Sequence, residues 1–98
     1  MSTVFVGQTI RIRLETNQTL TGLTCWIKYK NPNGTAGYFV ATIDPSDASK
    51  MYYDMSSVDS NIKGYWKFWA YYFNGTTIIG IGEIVRVQFV EEGYMGNI

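Results

Sequence analysis

The chain contains no histidine. Ser-His and Cys-His nucleophiles, and metals held by imidazole, are therefore excluded. The single cysteine, Cys25, sits where Leu23, Cys25, Ile27 and Tyr29 alternate with Thr24, Trp26, Lys28 and Lys30. That spacing puts it on the apolar side of a strand, as a small buried hydrophobe. Carboxylates remain, because a pair of them suffices for glycoside hydrolysis. The candidates Asp44, Asp47, Asp54, Asp59 and Glu83 fall in loops or on outward strand positions, with no spacing that forces two together. Asp44-Pro45-Ser46-Asp47 brings two acids close, but calcium needs about six or more oxygens, and these residue types also build turns. We expect a non-enzyme, with no catalytic residue, no metal site and no cofactor.

Asn17-Gln18-Thr19, Asn33-Gly34-Thr35 and Asn74-Gly75-Thr76 match the glycan-acceptor pattern. Two of them are Asn-Gly pairs that hairpin turns require in any case. The stronger signal is aromatic. Trp, Tyr and Phe make up 16% of the chain. Such rings dominate the energetics of both cores and interfaces. In the segment 64–73, Trp66, Phe68, Ala70 and Tyr72 form a face without charge. Tyr65, Lys67, Trp69, Tyr71 and Phe73 form the face that carries a lysine. The lysine marks the second face as outward, so Trp69, Tyr71 and Phe73 read as an exposed stripe, joined by Tyr65 and by Trp26. An apolar stripe of that size marks a binding surface. It suits a subunit interface, where Trp and Tyr serve as anchors. It also suits a carbohydrate platform, or concealment beneath a loop, the tail or a second sheet. With the opposite parity the outward set becomes Trp66, Phe68 and Tyr72.

The elements that must hold these residues are strands. Val4–Val6 forms a short first strand, and Ile10, Ile12 and Leu14 alternate with Arg11, Arg13 and Glu15. Further strands follow at Leu23–Lys30, Tyr38–Ile43, Met51–Met55, Gly64–Phe73, Thr76–Ile81 and Glu83–Val90. Asn31-Pro32-Asn33-Gly34 and Asn74-Gly75 are turn signals. No segment sustains a helical period. About seven short strands with turns every 8–12 residues indicate an all-β, immunoglobulin-like antiparallel β-sandwich, with a small β-barrel as the alternative. Residues 1–90 are read as one domain and residues 91–98 as a C-terminal tail.

Charge and length narrow the function. Eight basic and eight acidic residues leave no net charge across 98 residues. No run of Lys or Arg supplies the basic stripe that nucleic acid normally demands, so no nucleic acid partner is expected. No apolar run is long enough to span a bilayer, and no membrane partner is expected. The N-terminal residues show no basic segment followed by an apolar one, so a cytoplasmic origin is expected.

Four segments stand in a telling order: Phe5-Val6-Gly7-Gln8-Thr9-Ile10, Ile27-Lys28-Tyr29-Lys30-Asn31-Pro32-Asn33-Gly34, Gly64-Tyr65-Trp66-Lys67-Phe68-Trp69-Ala70-Tyr71 and Gly82-Glu83-Ile84-Val85-Arg86-Val87. Over nearly its whole length the chain resembles the small immunoglobulin-like proteins encoded in tailed bacteriophage genomes, often among virion structural genes. That family more often has Lys-Pro-Asp-Gly at the hairpin where this chain has Asn31-Pro32-Asn33-Gly34. The resemblance implies a sandwich attached to a phage particle as capsid decoration, neck or tail component, made in the bacterial host cytoplasm. It implies other virion proteins as partners and several copies, and no catalytic residues. The expected contact residues are Trp26, Tyr65, Trp69, Tyr71 and Phe73, together with Tyr94 and Ile98 of the tail. The alternative function is a carbohydrate-binding module for host-surface attachment.

Overall fold

A computed structural model describes residues 2–5, 9–56, 59 and 61–90. Its strands are β1 (Ser2–Phe5), β2 (Ile10–Glu15), β3 (Thr24–Lys30), β4 (Ala36–Val40), β5 (Thr42–Ile43), β6 (Lys50–Met55), β7 (Gly64–Asn74), β8 (Thr77–Ile81) and β9 (Val85–Val90). A three-stranded sheet has the order β2-β6-β5, and a larger sheet the order β1-β9-β7-β3-β4, with β8 also paired to β7. Every pairing is antiparallel except β1 with β9. Strands two, six and five face strands nine, seven, three and four, as in the immunoglobulin fold. The chain is an all-β sandwich of that type.

The strand β7 organises the large sheet. Its first half pairs with β9 and its second half with β8, both along the edge away from β3. The break between β8 and β9 is held by the Gly82 N–H, which donates to Ala70 O at 2.8 Å. The two segments therefore act as one interrupted strand.

Two sequence expectations are corrected in detail. Tyr38–Ile43 is two strands in different layers. The Ala41 N–H donates to Cys25 O at 2.9 Å as the last bond toward β3, and Thr42 then pairs with Tyr52 of the small sheet. The turn Asp44–Asp47 draws this end of the chain across, with Asp44 N donating to Lys50 O. The β7–β8 turn is centred on Gly75-Thr76, because Asn74 still pairs with Thr77. Only Gly75 has positive φ there (61°), which matches the turn class that needs glycine first.

The core is built from the inward faces. Ile12, Leu14, Cys25, Ile27, Met51, Met55, Trp66, Phe68, Ala70, Tyr72, Val87 and Phe89 are buried, with Leu20. Rings join the layers. Tyr53 of the small sheet stacks on Phe39 of the large one, with centroids 4.3 Å apart and planes within 5°. Phe39 stacks on Tyr29 at 4.8 Å, Tyr29 meets Trp66 at 5.5 Å, and Trp66 meets Phe89 at 5.1 Å. The Trp66 Nε1–H donates to Ile62 O at 2.8 Å, so its one polar atom is satisfied on burial.

Phe39 thus bridges the two layers. Phe39→Ala should lower stability by about 2–4 kcal/mol in urea denaturation, whereas Val40→Thr, its exposed neighbour, should change it by about 0.5 kcal/mol or less.

Candidate interaction surface

The outward positions of β4, β3, β7 and β8 make one continuous face. Register sets its rows. Val40, Trp26, Tyr71 and Ile81 lie across the sheet in one row. Thr24, Phe73 and Ile78 form the row on one side, and Tyr38, Lys28 and Trp69 the row on the other. The alternation expected for β7 holds: Trp66, Phe68, Ala70 and Tyr72 are buried, and Lys67, Trp69, Tyr71 and Phe73 are half-buried on the outer side.

These rings touch one another. Trp26 stacks on Tyr38, centroids 3.9 Å apart and planes within 18°. Trp26 also stacks beside Tyr71 at 5.8 Å and meets the edge of Phe73 at 4.8 Å. Lys28 Nζ lies 3.9 Å from the centre of the Tyr71 ring, a cation–π contact. Around the rings stand exposed aliphatic and phenolic groups: Tyr38 51%, Val40 65%, Ile78 53% and Ile81 61% accessible. Trp26, Tyr71, Phe73, Gly75, Thr76 and Ile78 border a shallow depression of about 330 Å³.

Of the residues singled out from sequence, Trp26, Tyr71 and Phe73 come together here. Trp69 lies on the same face, opposite Lys28. Tyr65 is exposed on that face too but stands at the far end of β7, opposite Gln88. Tyr94 and Ile98 lie outside the described residues. Sequence reasoning missed Tyr38 and the isoleucines of β8. The hairpin signal at Pro32–Gly34 held the clue to Tyr38, since counting back from that turn sets it opposite Lys28.

The carboxylates are occupied locally. The Arg11 guanidinium donates to both Asp54 oxygens, at 2.7 and 3.1 Å. Asp44 Oδ1 accepts from Ser46 N, and Asp47 Oδ1 accepts from both Ser49 N and Ser49 Oγ. Asp59 Oδ2 accepts from Tyr53 OH and Ser56 N. A cleft of about 530 Å³ between β2 and the β8–β9 link is lined in part by Arg13, Glu15, Tyr72 and Glu83. Both of its glutamates are exposed, unlike the buried settings in which a general acid is built. Among the described residues, no group of three His, Cys, Asp or Glu could hold a metal ion. Cys25 is buried, and burial pushes its thiol above the ordinary value.

Fold and surface together define a small β-sandwich with an aromatic outer face on one sheet. No protein-family model matches the chain, and no curated protein matches it.

Two outcomes follow from these environments. Cys25 should resist a thiol reagent in the native state and react only as fast as the chain opens. Hydrogen bonds and the Arg11 charge lower the Asp54 carboxyl, and the Ser49 bonds lower that of Asp47, below the ordinary 3.8. As pH falls, the unfolded chain takes up these protons first. Their stabilisation is therefore full above that value and is lost as pH drops through the folded-state values. In acid titrations of stability, Asp54→Asn should flatten this loss.

Proposed function

We propose that the protein is a non-enzymatic docking domain of a tailed-phage particle, serving as capsid decoration, neck or tail component. The outer face of the large sheet binds another virion protein. The observation that carries this reading is the cluster of Trp26, Tyr38, Tyr71 and Phe73. It lies outside both layers and is flanked by exposed Ile78 and Ile81. Aromatic anchors surrounded by smaller apolar groups are how protein interfaces are built. The placement in a particle is supported by the resemblance of the chain's segments to phage proteins.

The ring geometry favours a protein over a carbohydrate partner. A sugar platform needs open ring faces. Here one face of Trp26 is taken by Tyr38, and Tyr71 carries the Lys28 ammonium. A protein partner can use the edges and the aliphatic surround.

The test is composition of purified particles. The chain should be found in particles from cells that express it with the rest of the virion genes. Trp26→Ala combined with Tyr71→Ala should reduce its occupancy about tenfold or more, as for anchor residues. The midpoint of thermal unfolding should fall by only about a few degrees. A folded variant incorporated as well as the parent would sink the reading, as would absence of the parent chain from particles.

A further inference from the structure

The face that carries the rings also carries a line of cations. Lys30 of β3 stands directly opposite Lys67 of β7, and Lys67 directly opposite Arg86 of β9. Neighbouring strands are about 4.8 Å apart, so three positive side chains are set side by side across about 10 Å. Directly opposed like charges destabilise a sheet. Among the described residues, no carboxylate pairs with any of the three. The contrast with the other sheet is sharp: there Arg11 pairs with Asp54, Arg13 with Asp44 and Lys50 with Asp47. The chain as a whole is neutral, yet the fold gathers an unneutralised row on one face.

We propose that the row is the charged flank of the docking face and that its occupant is a protein surface presenting a cluster of carboxylates. This rests on the docking reading above and specifies the partner. The row lies beyond the Lys28–Trp69 row as seen from the rings. An apolar centre with a charged border is the ordinary anatomy of a protein interface. Charges at a border steer the approach and fix the orientation of an oppositely charged partner. A nucleic acid strand fits less well. Its bases need free ring faces, and those of Trp26 are engaged by neighbouring rings. The exposed isoleucines of β8 would also go unused.

The experiment follows amide resonances of the full chain as a poly-glutamate peptide is added. Shifts should centre on Lys30, Lys67 and Arg86 and should saturate. Binding should weaken by about tenfold or more between about 0.05 and 0.5 M salt. Lys67→Gln with Arg86→Gln should lose most of that binding, and its melting midpoint should stay level or rise because repulsion is removed. The same pair of substitutions should lower incorporation into particles. An oligothymidylate of matched length that binds this row as tightly as the peptide would overturn the proposal in favour of nucleic acid. Saturating shifts elsewhere, or none, would also overturn it. If Glu91→Gln with Glu92→Gln raises peptide affinity about tenfold, the occupant is the chain's own tail and the proposal fails. Loss of incorporation in the Trp26 and Tyr71 variant, with full incorporation of the Lys67 and Arg86 variant, overturns the acidic partner and leaves the docking reading standing.

Discussion

The fold depends on which face of β7 turns inward, and that choice is narrower than it looks. Both faces of this strand are aromatic, with Trp66, Phe68 and Tyr72 on one and Tyr65, Trp69, Tyr71 and Phe73 on the other. Hydrophobicity alone would not distinguish them. Lys67 does, because an unpaired ammonium cannot be placed between two apolar layers without a large penalty. Slipping β7 by one residue against β3 would exchange the faces. It would drive Lys67 into the core and turn Ala70, the small residue beneath Gly82, outward. One cation thus fixes which face of the central strand turns inward, and with it which rings enter the core and which form the outer cluster.

The second dependence is the contact between layers. No disulfide ties the sheets together, since Cys25 is the chain's only cysteine. The small sheet offers just three strands, and its inward side chains are led by flexible methionines, Met51 and Met55. Methionine fills gaps well but specifies geometry weakly. The rigid elements across the gap are rings: Tyr53 against Phe39, and Phe39 against Tyr29. Phe39 occupies this place because β4 stays in the large sheet through Val40 before Ala41 lets the chain cross. The crossing of the chain and the stacking of the rings are one solution to the problem of joining two thin layers.

The parts legible in sequence are those encoded along a single strand. Period-two alternation places Cys25 and Ile27 inside, Trp26 and Lys28 outside, and sorts β7 correctly. It does so because burial and charge agree residue by residue. The illegible parts are lateral. Nothing in the run Tyr38–Ile43 says that the chain changes sheets at Ala41, since both halves are apolar and extended. Asn74-Gly75 reads as the turn, yet the positive-φ position serves Gly75 first and leaves Asn74 in the strand. Tyr38 joins Trp26 only through the β3–β4 register. The same holds for Lys30, Lys67 and Arg86. They are dispersed across 57 positions of sequence and form no run, yet pairing sets them in line. A scan for basic runs is blind to a stripe that crosses strands.

The two outer faces of the sandwich differ less in composition than in pairing. On β2 and β6, Arg11 stands opposite Asp54 and Glu15 opposite Lys50, while Arg13 reaches Asp44 beyond β5. Arg11 and Asp54 are register partners and form a two-bond ion pair, with Tyr52 beneath the Arg11 guanidinium at 4.1 Å. On that face each of the cations Arg11, Arg13 and Lys50 has a carboxylate partner. On β3, β7 and β9, cations stand opposite cations, and the aromatic rings beside them pack on one another and under the Lys28 ammonium. Exposed ion pairs are worth little individually, so the pairing on the small sheet is not what stabilises the domain. Its significance is comparative. A chain with equal numbers of acids and bases had the means to neutralise both faces, and its alternation neutralises one. The repulsion along Lys30, Lys67 and Arg86 and the exposure of apolar groups around Trp26 weaken the isolated monomer at the same surface. Both strains lie on one sheet face, so a single complementary surface placed over it would relieve them together.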